Sequence, residues 1–170
     1  PRLATACAVA ALVLVSFLTR WVLSLGMPAP WIFVDELIYS ELARSAYDGF
    51  SIRGTAVSGY GPVYPFLISP AYVAFQDLVT AYAAVKAINA LIMSCTAIPV
   101  YLMARTLMRT RWALSAAGLS LVVPGMTYSG VVMTESAFYP LFALAMWLVL
   151  RALRQPTVAA QILVIAAAIA

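Results

Sequence analysis

Apolar residues along this chain gather in long runs separated by short polar or Pro/Gly breaks. The first run covers Leu3 to Leu25 and is broken at Gly26, Pro28 and Pro30. A second extends from Tyr82 to Ala104 and stops at "RTLMRTR". A third, Trp112 to Met126, is interrupted by Pro124 and Gly125, a fourth covers Ser136 to Leu153, and a fifth runs from Val158 to Ala170. Crossing hydrocarbon as a helix takes about 20 residues. Without water, only complete helices or closed barrels leave no backbone group orphaned. The pattern therefore predicts an all-α, polytopic membrane helix bundle. The first run counts as a span and not as a secretory signal peptide, because it continues without a small-residue cleavage site.

Between residues 27 and 81 the pattern changes. In "DELIYSELARSAYDG" the apolar residues Leu37, Ile38, Leu42 and Ala46 fall close to a helical stripe that ends at Gly49. This predicts a short amphipathic helix lying along the membrane surface. "GYGPVYPFLISPAYVAF" follows, with Pro62, Pro65 and Pro70 among aromatics, and predicts broken or re-entrant helix at the interface. The bundle thus carries juxtamembrane amphipathic helices in one long loop. No internal repeat or low-complexity tract interrupts it.

Composition narrows the class. Only 9% of residues are charged and 65% are hydrophobic, whereas a soluble domain carries roughly 25% charged residues. The net charge of +4 does not point to nucleic acid, since the basic residues are scattered or sit at segment ends, where they report topology. Arg20 and Trp21 read as interfacial anchors of the first span. Cys7 and Cys95 lie inside apolar runs, which argues against a disulfide framework or a thiolate metal site. The chain opens at Pro1 and closes within an apolar run, and so reads as the N-terminal part of a larger polytopic protein, inactive as a fragment.

The arginines set an orientation. Arg105, Arg109 and Arg111 form one cluster, and Arg151 and Arg154 a second. By the positive-inside rule both turns are cytoplasmic. The N-terminus is then cytoplasmic, while residues 27–81 and the turn at 128–134 lie outside a cell membrane. All six acids, Asp35, Glu36, Glu41, Asp48, Asp77 and Glu135, fall on or near that external face.

Each acid has a plain reading beside a chemical one. Asp35 and Glu36 begin the amphipathic helix and can serve as an N-cap and a first-turn acid offsetting the dipole. Equally, a carboxylate at the membrane surface can act as general base toward an acceptor hydroxyl, with its neighbour orienting it. Glu41 and Asp48 read as a solvated face. Glu135 stands at the outer mouth of an otherwise uncharged span, where an acid is costly unless it faces a polar cavity; a helix start capped by Thr134 or Ser136 is the alternative. Lys86 near the outer end of the second span either snorkels to the headgroups or contacts phosphate, and Arg53 suits both roles too.

An acidic pair just after the first span, an amphipathic external helix, and "GYGPVYPFLISP" leading toward the second span resemble the GT-C superfamily of integral-membrane glycosyltransferases. The likeness is to the protein O-mannosyltransferase and aminoarabinose-transferase type, and it covers residues 1 to 155. "MTESAFYPLFALAMWLVL" is similar to the acid-started fourth helix of that group. The resemblance implies transfer of a sugar from a polyprenyl-phosphate-linked donor to an acceptor glycan, lipid or protein on the extracytoplasmic side. It places the catalytic role on Asp35, with Glu36 beside it and Glu135 as a second acid. Lys86 falls where relatives often hold a cation for the lipid phosphate, and Arg53, Tyr60 and Tyr64 join it as substrate-binding residues. Gly61-Pro62-Val63 departs from the lysine and Pro-Pro-Leu segment of some relatives, so that phosphate contact does not carry over. The resemblance fixes no cofactor, and the acids admit a divalent metal ion. The competing class is a transporter or lipid flippase, which places ionisable residues near the bilayer midplane on interrupted helices. Here they collect at one face.

Overall fold

A computed structural model of the chain describes residues 2–27, 30, 33–122 and 128–169. The described residues are mostly helical, as the apolar runs predict. Helix α1 is Arg2–Ser24, α2 Val34–Arg44, α3 Val63–Ala74, α4 Leu78–Ser94, α5 Ala97–Ala104, α6 Thr110–Ser120, α7 Glu135–Arg154 and α8 Val158–Ile169. Among the described residues, three stretches are long and apolar enough to cross a membrane: Leu3–Ser24, Leu78–Ala104 and Glu135–Arg154.

The second span begins at Leu78, earlier than the apolar run suggests, because Asp77 caps it. The Asp77 carboxylate accepts from the Thr80 amide at 2.8 Å and from the Thr80 hydroxyl at 2.7 Å. The span is interrupted at Cys95–Thr96, between α4 and α5. Pro99 has no N–H to offer the Cys95 carbonyl, which accepts from the Ile98 amide at 3.0 Å instead. Pro70 leaves a similar vacancy inside α3, and there the Ser69 hydroxyl donates to the Phe66 carbonyl at 2.9 Å. Within the described residues of the third run lies α6, 11 residues long, a rise of about 16 Å against a hydrocarbon core of about 30 Å. The predicted breaks at Pro28 and at Pro124-Gly125 lie outside the described residues.

The amphipathic helix is present as α2. Past its end the chain makes a feature that the helical pattern does not predict, a two-stranded hairpin of β1 (Ser51–Ile52) and β2 (Thr55–Ala56). Its two-residue tip, Arg53-Gly54, has φ of 51° and 79°. Positive φ at both positions matches the right-handed twist of paired strands.

Small residues let the helices approach closely. Ala97 on α5 and Ala117 on α6 are fully buried against Leu121, Leu12, Val13 and Tyr101. A second core, built on Tyr64, Ile68, Val85 and Val132, holds α3 and α4 to the chain that enters α7. The ends of the bundle differ in charge. Arg154 reaches the Thr106 carbonyl at 3.5 Å, so both arginine-rich turns share one end. The α2–α3 segment, Asp77 and Glu135 occupy the other.

Arg20 is not an interfacial anchor. It is 4% exposed; its Nε donates to Ser16 Oγ at 3.1 Å and its Nη2 to the Leu121 carbonyl at 3.0 Å. Ser94 on α4 joins Ser16 at 2.9 Å. Leu121 is the residue that closes α6. The guanidinium therefore sits on the negative end of that helix dipole, which offsets part of the cost of burying it. Trp21 remains exposed.

Candidate functional site

Helix α2 starts from Phe33, an extended residue without a side-chain cap. Neither Asp35 nor Glu36 is the N-cap; both lie in the first turn, where negative charge complements the helix dipole. Neighbours on a helix point about 100° apart, and the two carboxylates diverge accordingly.

Glu36 turns inward and is 1% exposed. Its Oε1 accepts from the Val132 amide at 3.0 Å and from the Tyr82 hydroxyl at 3.2 Å. Oε2 is buried without a hydrogen-bond partner. This side chain pins α2 to α4 and to the turn before α7. Asp35 stays half-buried, on the same face as Tyr39 one turn later.

Tyr39 is the centre around which the remaining groups assemble. Its ring meets Tyr60 and Tyr64 edge-on, with centroids 5.4 Å and 5.3 Å away. Burial raises its pKa above that of a free phenol. A hydrogen bond with the Thr134 side chain opposes the shift, and the charges of Asp35 and Glu135 reinforce it. Two acids a hundred residues apart in the chain thus act on one hydroxyl. Glu135 stands in the first turn of α7, after Thr134 as N-cap residue, and its Oε2 is buried without a hydrogen-bond partner.

An apolar groove of about 400 Å³ opens beside this cluster, between α3, α7 and α8. Thr134 and Tyr64 line it at one end, and Phe138 and Phe142 along α7. Thr134 is therefore shared between the polar cluster and the groove.

Of the other predicted site residues, Tyr60 and Tyr64 stand in that cluster against Tyr39, whereas Lys86 and Arg53 are placed by other elements. Lys86 is 3% exposed; its Nζ donates to the Ser24 carbonyl at 2.8 Å and to the Met27 carbonyl at 2.6 Å, beneath the Tyr82 ring. It closes the C-terminal end of α1 as Arg20 closes α6. Snorkelling to the headgroups does not describe it. The Tyr64 hydroxyl pairs with Asn89, whose amide also donates to the Val131 carbonyl at 2.8 Å. Arg53 sits exposed at the hairpin tip. Glu41 pairs with Arg44 at 2.9 Å at the surface, and Asp48 is solvated, as the helix pattern predicts.

Sequence reasoning does not single out Tyr39, and it names Thr134 only as a candidate cap of α7; Thr134 holds the N-cap position but makes no side-chain cap bond. Tyr39 follows Asp35 by four residues, and Thr134 precedes Glu135. Among the described residues no group of three or more His, Cys, Asp or Glu side chains could hold a metal ion. Asp35 and Glu135 alone would supply only part of the oxygen shell that a divalent cation takes. No family model, curated protein or solved structure matches the chain.

Proposed function

We propose that the acidic end is the reaction centre of a membrane glycosyltransferase that moves a sugar from a polyprenyl-phosphate-linked donor to an acceptor hydroxyl or amide on the extracytoplasmic side. One observation carries this reading. Tyr39, which feels the charges of both Asp35 and Glu135, is hydrogen-bonded to Thr134, and Thr134 also lines the apolar groove; a lipid-linked sugar needs both a polar reaction point and a place for its chain. The arginine-rich turns at the opposite end support the orientation through the positive-inside rule. The resemblance to the GT-C superfamily points the same way.

In this mechanism Asp35 takes the proton from the acceptor. The freed oxygen or nitrogen attacks the anomeric carbon as the bond from that carbon to the phosphate oxygen breaks, and the lipid phosphate leaves with the electron pair. Glu135 and Tyr39 position the acceptor and set the local charge. Glu36 acts as a positioning residue, because its bonds to Val132 and Tyr82 fix the first turn of α2 and hence Asp35. A transporter would need ionisable groups along a path through the bundle. The buried cations Arg20 and Lys86 instead occupy helix ends.

The test is Asp35→Asn in the protein's native membranes, assayed with a polyprenyl-phosphate sugar. A base of this kind contributes about 10²- to 10⁴-fold in rate. Turnover should fall at least about a hundredfold, roughly 2.7 kcal/mol of barrier, with donor binding retained. Near-normal turnover in Asp35→Asn would remove the base from this residue.

A further inference from the structure

A second groove lies away from the acids, at the arginine end. It encloses about 790 Å³ between α1 and the α4–α5 span. Its walls are apolar: Val9, Val13 and Phe17 on one side, Leu91, Ile98 and Leu102 on the other. Its mouth is polar, formed by Thr5, Arg105 and Thr110. Leu91 and Ile98 are 49% and 43% exposed, so this wall is uncovered within the chain.

Three features agree on one kind of occupant. The groove follows α1 from Thr5 to Phe17, about 18 Å at 1.5 Å per residue, which is close to one leaflet of a hydrocarbon core about 30 Å thick. Its volume falls in the range of about 300–1,000 Å³ typical of small-molecule sites. The charge lies only at the end where a headgroup would lie. Arg105 is exposed, and only its Nη1 is engaged, donating to the Met108 carbonyl at 2.7 Å. A guanidinium has five donors, so the rest can face a phosphate. Arg109 and Arg111 add positive potential beside it without lining the groove.

We infer that this groove holds one anionic phospholipid, with its phosphate at Arg105 and one acyl chain along α1 toward the bilayer centre. The site is separate from the acidic cluster, so it stands or falls independently of the proposed reaction.

Native mass spectrometry tests it, using the protein released from micelles containing either phosphatidylglycerol or phosphatidylcholine. The expected result is one retained phosphatidylglycerol and no retained phosphatidylcholine. Arg105→Gln should weaken retention about tenfold, as expected for loss of a charge-assisted phosphate contact. Ala10→Trp should abolish retention by filling the groove; Ala10 is exposed, so the fold should tolerate the change. Arg111→Gln should retain the lipid. Equal retention of both lipids, or retention undiminished in Arg105→Gln or Ala10→Trp, overturns the site. So does an equal loss in Arg111→Gln, which would mean diffuse charge attraction. A lipid-free dimer would overturn it too, by assigning the groove to a second copy of the chain.

Discussion

Removing the Glu36 side chain should loosen the acidic end, and the size of the effect follows from its partners. In Glu36→Ala the Val132 amide, at 0% exposure, loses its acceptor. A buried donor left unsatisfied costs about 1–3 kcal/mol. The Tyr82 hydroxyl keeps a long contact to the Gly130 carbonyl at 3.4 Å, so its loss adds only about 1 kcal/mol. Glu36→Gln preserves a carbonyl at the position of Oε1. Both substitutions remove the buried charge, so the desolvation of that charge cancels between them. The Gln amide nitrogen takes the place of Oε2, which has no partner, and this unsatisfied donor offsets much of the gain. Glu36→Gln should therefore be the more stable of the two by about 1 kcal/mol, roughly a fivefold difference in the folding equilibrium. Titration of each variant in mixed micelles with a denaturing detergent, followed by circular dichroism, measures the difference. Glu36→Gln should also keep most of its turnover, because a positioning residue needs the acceptor atom and not the charge. If Glu36→Ala is as stable as Glu36→Gln, the assignment of Glu36 as the pin between α2, α4 and Val132 is wrong. If Glu36→Gln folds normally but is inactive, Glu36 and not Asp35 is the reacting carboxylate.

Three other outcomes are expected. Lys86→Met leaves the Met27 carbonyl without its lysine donor, the Ser24 carbonyl keeping the Met27 amide at 3.1 Å. It should lower stability by about 1–3 kcal/mol while the Michaelis constant for a lipid donor stays unchanged; a raised constant with unchanged stability would put Lys86 in the substrate site. Single cysteines at Ser58 and Gln155, in a background lacking Cys7 and Cys95, should react with an impermeant reagent from opposite sides of the membrane, and labelling of both from one side would refute the orientation. The Thr80 hydrogen bonds depress the pKa of Asp77, so its contribution is present above the ordinary carboxylate range near pH 4 and is lost as pH falls through the lower folded value. The faster amide exchange expected at the start of α4 in Asp77→Ala should accordingly disappear in acid, and a difference that persists there would argue against the cap.

Much of this protein is legible in its amino-acid sequence. Hydrophobicity and charge are properties of short windows, so the runs at 3–25, 82–104 and 136–153 read as helices without knowledge of their neighbours. The arginine clusters and the acids fall at opposite ends for the same reason. What a window cannot contain is a partner far along the chain. Asp35 and Glu36 are indistinguishable as a pair, and the Val132 amide, 96 residues away, decides which of them turns inward. Lys86 suits a phosphate ligand by its position alone, but the carbonyls at the end of α1 occupy it. Arg20 suits an interfacial anchor, but α6 ends beside it. In the last two cases a helix terminus presents backbone groups with no partner inside their own helix. Where those groups fall relative to a charged side chain depends on how the helices pack, and packing is settled only by the whole fold.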